Sequence, residues 1–203
     1  FPKYWLQSGV SLTSNSSRFV GPGDKLYDHI QRLFECGNLP EGTKIISVEK
    51  CFFPNNHNAQ ILEVERLRNM GFETPITVRL LWHGTTEETA DCIASSHGGL
   101  DAAYAERSLH GKGIYAARFN NPRYVHDAYA LENSKKVRTM FLVRAVMRDL
   151  MVGTPGKTTA PDTFGGHHML VNSIKNPDIF CALKYGMFCI IGRVRYHVED
   201  DEY

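Results

Sequence analysis

The apolar pattern predicts an α+β fold built on a mainly antiparallel sheet. Three observations carry this. From Ile76 to the C-terminus the apolar runs are short and punctuated by Gly and Pro. Segments with helical spacing are few. No G-x-G-x-x-G follows a strand, which argues against a doubly wound dinucleotide fold.

Taken in order, residues 1–20 are polar and Ser-rich around Trp5 and read as an extended entry segment. Gly21-Pro22-Gly23-Asp24 is a turn in which Asp24 can cap a helix. Leu26, Ile30, Leu33 and Phe34 then fall at helical spacing, and Gly37 can close that helix. Residues 44–53 read as a strand through Ile45, Ile46, Val48, Cys51 and Phe52. Residues 59–70 read as an amphipathic helix with Ile61, Leu62, Val64 and Leu67 on one stripe. Short strands are expected at 76–82, 113–118, 140–146, 179–183 and 188–198. Helices are expected at 86–95 and near 122–131, and a loop over 153–166. No repeat, low-complexity tract or linker interrupts the chain, so residues 1–203 are read as a single domain.

The composition fits a globular chain: 203 residues, 42% hydrophobic, 22% charged and 11% aromatic. A net charge of +1 gives no strong field toward nucleic acid or anionic membrane. No apolar stretch approaches the ~20 residues that a membrane-spanning helix needs. The start at Phe1 rather than Met, with no leader pattern, reads as a domain excised from a longer chain. The five cysteines, Cys36, Cys51, Cys92, Cys181 and Cys189, form no C-x-x-C pair. They read as reduced thiols, consistent with cytoplasm or nucleus.

No P-loop and no G-x-S-x-G elbow occurs. His167-His168 is adjacent rather than at ligand spacing, so no metal is expected. Two motifs stand out: Leu81-Trp82-His83-Gly84-Thr85, and Gly111-Lys112-Gly113-Ile114-Tyr115-Ala116-Ala117. A His at a strand end offers an imidazole donor for a ribose hydroxyl. Gly84, without a Cβ, lets its backbone N–H and C=O approach a ligand amide, and Thr85 adds a hydroxyl. Singly, His83 reads as a structural hydrogen-bonder, Tyr115 as a core aromatic and Tyr129 as a helix-face aromatic. Jointly they suggest a pocket for a planar, amide-bearing ligand.

With Leu80 extending the first motif, and with the closing run Asn176-Pro177-Asp178-Ile179-Phe180-Cys181-Ala182-Leu183, the chain resembles the catalytic domain of the poly(ADP-ribose) polymerase (PARP) family. These are the diphtheria-toxin-like ADP-ribosyltransferases, and the resemblance covers nearly all 203 residues. It implies two packed, mainly antiparallel sheets flanked by a few helices, with NAD+ as co-substrate and no metal. It implies that His83 holds a ribose hydroxyl, that Gly84 clamps the carboxamide and that Tyr115 forms one wall of the nicotinamide pocket. A second Tyr stacks on the other face of the ring; Tyr129 fits best by position and Tyr124 next. The Ser that family members often carry near this Tyr is replaced by Val125-His126-Asp127. Arg107 could serve the pyrophosphate.

The third position of the family triad aligns with Ile179, giving His83, Tyr115 and Ile179. A slip of one residue would put Asp178 there instead. The His-Tyr-Ile pattern implies mono- rather than poly-ADP-ribosylation. An apolar side chain neither orients a ribose hydroxyl nor acts as a base, and losing one charge-assisted hydrogen bond costs about 1.5–3 kcal/mol. The expected activity is transfer of ADP-ribose from NAD+ to protein side chains, those of the enzyme itself included. Acceptor proteins and nicotinamide-mimetic inhibitors are the expected partners. The alternatives are an inactive NAD- or ADP-ribose-binding module and a transferase acting on nucleic-acid ends.

Overall fold

The computed structural model describes residues 14–36, 38–71, 74–96, 98–105, 109–156 and 169–199. The expectations for Trp5, Gly37, Arg107, His167-His168 and most of the 153–166 loop lie outside these residues. Among the described residues nine strands form one hydrogen-bonded sheet. They are β1 (Ser16–Val20), β2 (Thr43–Phe52), β3 (Thr77–Thr85), β4 (Ile114–Arg118), β5 (Arg138–Met147), β6 (Leu150–Val152), β7 (Met169–Val171), β8 (Ile179–Ala182) and β9 (Phe188–Val198). The α-helices among the described residues are α1 (Lys25–Cys36), α2 (Pro54–Asn69), α3 (Glu87–Ser95) and α4 (Pro122–Ala128).

The strand order is β1-β2-β9-β5-β3-β4-β8-β7-β6, antiparallel except for β6 against β7. Two halves meet at β3 and β4, where the ladder is only Leu81↔Arg118 and Trp82↔Ala117. The mainly antiparallel α+β architecture expected from the sequence is the one observed, with one continuous sheet joined at this short seam where the resemblance implied two packed sheets. Two strand expectations change. Residues 16–20 pair with β2 from Ser16↔Phe52 to Val20↔Val48 instead of trailing as an entry segment. The three-residue strands β6 and β7 carry too few residues to show an alternation that could have been read.

Several local rules worked. Asp24 Oδ1 accepts from the Leu26 N–H at 2.8 Å and opens α1. The Thr86 side chain accepts from the Thr89 N–H and opens α3 directly after β3. The α2 stripe did not hold: Leu62 is exposed, while Asn56, Gln60, Glu63 and Leu67 are buried. Polar groups face inward there because they complete the ends of other ladders. The Asn56 amide donates to Phe188 O at 2.8 Å and accepts from the Ile190 N–H at 3.1 Å. Gln60 Nε2 donates to Arg144 O at 2.8 Å. A buried polar group with its partners in place costs little, so the helix packs by hydrogen bonding where periodicity suggested an apolar stripe.

The largest core cluster includes Leu81, Phe141, Val143, Phe180 and Ile190. A second gathers Ile30, Phe34, Trp82, Met140, Leu142 and Tyr196. Charges fasten α3 to the sheet. Arg193 reaches Asp91 at 2.8 Å and Glu87 at 3.2 Å, and Arg195 reaches Glu87 at 2.7 Å.

Candidate functional site

The site forms where β3 and β4 part. The Arg118 N–H donates to Asp178 O at 2.9 Å, so Arg118 turns its peptide groups toward β8. Alternation along β4 then turns those of Ala117 and Tyr115 toward β3. Ala117 pairs with Trp82, so Trp82 and, two residues on, Gly84 turn their N–H and C=O toward β4. The ladder stops at Trp82, leaving the Gly84 donor and acceptor side by side at the opening. A primary carboxamide has the complementary pair.

Gly84 is also fixed by packing. A Cβ there would collide with Val125 Cγ1 and lie 2.9 Å from Tyr129 Cβ. Glycine therefore lets the end of α4 sit on the strand.

The His83 ring is tied by Nδ1 to Tyr115 O at 2.7 Å. A carbonyl only accepts, so Nδ1 carries the proton and Nε2 is left a bare acceptor in the neutral ring. Burial pushes the His83 pKa below the usual 6.5, partly opposed by this hydrogen bond. The sequence suggests an imidazole donor at this position; with Nδ1–H committed to Tyr115 O, the neutral ring offers an acceptor instead.

Tyr115 is 7% exposed, and its hydroxyl donates to Gly111 O and accepts from the His110 N–H, both at 2.7 Å. Burial pushes its pKa up to about 12, so it stays a neutral phenol. The turn before β4 thus locks this ring. Tyr129 follows α4 at its C-cap, and its ring centroid lies 6.5 Å from that of Tyr115 at 34°. A flat ring held between two others needs about 7 Å, two contacts of ~3.5 Å. The two rings, with centroids 6.5 Å apart and inclined by 34°, stand close to that spacing.

The cleft encloses about 440 Å³ and is lined by His83, Gly84, Thr85, Gly113, Tyr115 and Tyr129, together with residues of α3 and of the segment after it. Thr89, Cys92, Ile93 and Ser96 form the helical wall. A helix of nine residues runs about 13 Å, long enough to carry a ligand well beyond the two rings. Among the described residues lining the cleft there is no Lys or Arg, and Asp101 is the one carboxylate.

Two expected residues lie apart. Tyr124 is on α4 with its ring centroid 6.0 Å from Tyr129, half-buried against two core clusters and not among the residues lining the cleft. Ile179, opposite Ala117 on β8, is 8% exposed and packs with Tyr115, Leu170 and Cys181. It shares the sheet face of Tyr115 but is not among the residues lining the cleft. Asp178 is paired with Arg118 at 3.4 Å and belongs to the opposite face.

The lining from α3 was not expected from the sequence. The available signal was that a helix starting two residues after Thr85 must pass its first turns across whatever His83 and Gly84 bind.

No protein-family model matches the chain, and no curated protein matches it. Among solved structures, the chain is similar to the PARP domain of Arabidopsis RADICAL-INDUCED CELL DEATH1. The TM-score is 0.69 at 17% sequence identity, over 85% of this chain and 98% of that one. The likeness is one of fold, and the fold is that of PARP-type ADP-ribosyltransferase domains.

Proposed function

We propose that the cleft binds NAD+ and transfers one ADP-ribose to a protein side chain, releasing nicotinamide. The observation that carries this is the convergence of Gly84, His83, Tyr115 and Tyr129 on one opening. A peptide donor and acceptor stand ready for a carboxamide, two aromatic faces for its ring and an imidazole acceptor for a hydroxyl.

In the reaction the bond between the nicotinamide nitrogen and ribose C1′ breaks, and its electron pair leaves with nicotinamide. An acceptor oxygen forms the new bond to C1′, and its proton passes to the acceptor's own carboxylate or to solvent. The protein contributes position: the rings fix the leaving group and His83 Nε2 fixes a ribose hydroxyl. Ile179 supplies no base and no hydroxyl contact for a second transfer, which supports mono- over poly-modification. The five free cysteines support a cytoplasmic or nuclear setting. The acceptors are other proteins or the chain itself, and nicotinamide mimetics would act as inhibitors.

The buried Ile179 also favours a second reading, a domain that binds NAD+ or ADP-ribose without turnover. Intact-mass measurement after incubation with NAD+, beside His83→Ala, separates the two. Single ADP-ribose additions lost in the variant are expected. Binding of NAD+ with no addition and no nicotinamide release would assign the binding module, and long polymer would refute the role of Ile179.

A further inference from the structure

Of the two rings forming the slot, Tyr115 is held by two hydrogen bonds at its hydroxyl, and the backbone of Tyr129, whose ring contacts Tyr115 and Tyr124, follows directly on the end of α4. That helix has seven residues and ends at Ala128. Its last carbonyls need partners from outside the helix. The Val125 carbonyl takes both the Tyr129 N–H at 3.0 Å and the Ala130 N–H at 2.9 Å. The carbonyls on either side of Tyr129 are taken by Arg138, on β5. Its Nη1 donates to Ala130 O at 2.7 Å and, more loosely, to His126 O at 3.5 Å. Its Nη2 is braced by Glu132 at 3.2 Å. The Arg138 side chain is 19% exposed, so this grip is mostly shielded from water.

We propose that Arg138 is a positioning residue for the ligand slot. By holding the Ala130 and His126 carbonyls, it sets how far the Tyr129 ring stands from Tyr115. This rests on the reading of the cleft as a nicotinamide site. The fork geometry matters: one planar guanidinium spans two carbonyls and a carboxylate, whereas an ammonium serves as a point donor. The short bond to Ala130 and the long one to His126 give the wall a firm end and a looser end.

The test compares the wild-type chain with Arg138→Met and Arg138→Lys, titrated calorimetrically with 3-aminobenzamide and, separately, with ADP-ribose. 3-Aminobenzamide fills only the ring slot; ADP-ribose lacks the nicotinamide ring. For Arg138→Met we expect about tenfold weaker 3-aminobenzamide binding, the loss typical of one charged hydrogen bond, with ADP-ribose affinity unchanged. Arg138→Lys should recover part of the loss. Equal weakening of both ligands, or no weakening of 3-aminobenzamide, overturns the proposal. If Arg138→Met does not fold, Arg138→Lys is judged by the same two comparisons. A wild-type chain that binds no 3-aminobenzamide overturns the nicotinamide reading itself, and the role of Arg138 with it.

Discussion

His83 shows how one hydrogen bond decides a residue's chemistry. With Nδ1–H committed to Tyr115 O, the side chain faces the cleft as an acceptor, and burial favours the neutral ring. The consequence is a pH dependence with a definite sign. Protonation removes the acceptor, and the pKa lies below 6.5. NAD+ affinity should therefore be flat at neutral and alkaline pH and fall only in acid, approaching about tenfold per pH unit below the shifted pKa. Calorimetric titration at a series of pH values checks this. A loss of affinity on raising the pH through neutrality would instead mean that the charged ring does the binding.

At the scale of elements, the helices place two thiols in solvent and the strands hide three. Cys36 on α1 and Cys92 on α3 are exposed, while Cys51, Cys181 and Cys189 are buried. Burial drives the hidden thiols up to about 12, 12 and 11, too high to ionise at neutral pH. A maleimide should therefore label two cysteines quickly in the native chain and the other three only after unfolding, as peptide mass mapping would show. Cys92 lines the cleft and Cys36 does not. NAD+ should therefore slow labelling of Cys92 alone; equal protection, or none, would remove α3 from the binding wall.

For the whole molecule, three histidines are held neutral by the fold. His57, His83 and His126 all have lowered pKa values, chiefly through burial, and His126 falls to about 4. Below pH 6.5 the unfolded chain takes up protons at these positions and the native chain does not, so the protons favour unfolding. Their contribution to stability is complete above pH 6.5 and is lost progressively as the pH drops toward 4. Urea midpoints measured from pH 7.5 to 4 should decline over that window. A His126→Asn variant should show a shallower decline; an identical slope would show that carboxylates alone set the acid limit.

The sequence by itself determined the class of fold, most strand and helix positions, and the two motifs that meet at the site. Those features follow from local periodicity, caps and glycine, which act within a few residues of chain. It misplaced the buried face of α2, because Asn56 and Gln60 satisfy ladder ends that belong to β5 and β9, far along the chain. Nor does it show that the His83 Nδ1 proton goes to the carbonyl of Tyr115, 32 residues away. Only the tertiary structure decided that Tyr129 rather than Tyr124 lines the cleft, that α3 walls it, and that Arg138 binds the carbonyls of Ala130 and His126 at the end of α4. Each of these depends on which non-local groups are close enough to share a hydrogen bond or a ring contact, and spacing along the chain carries no record of that.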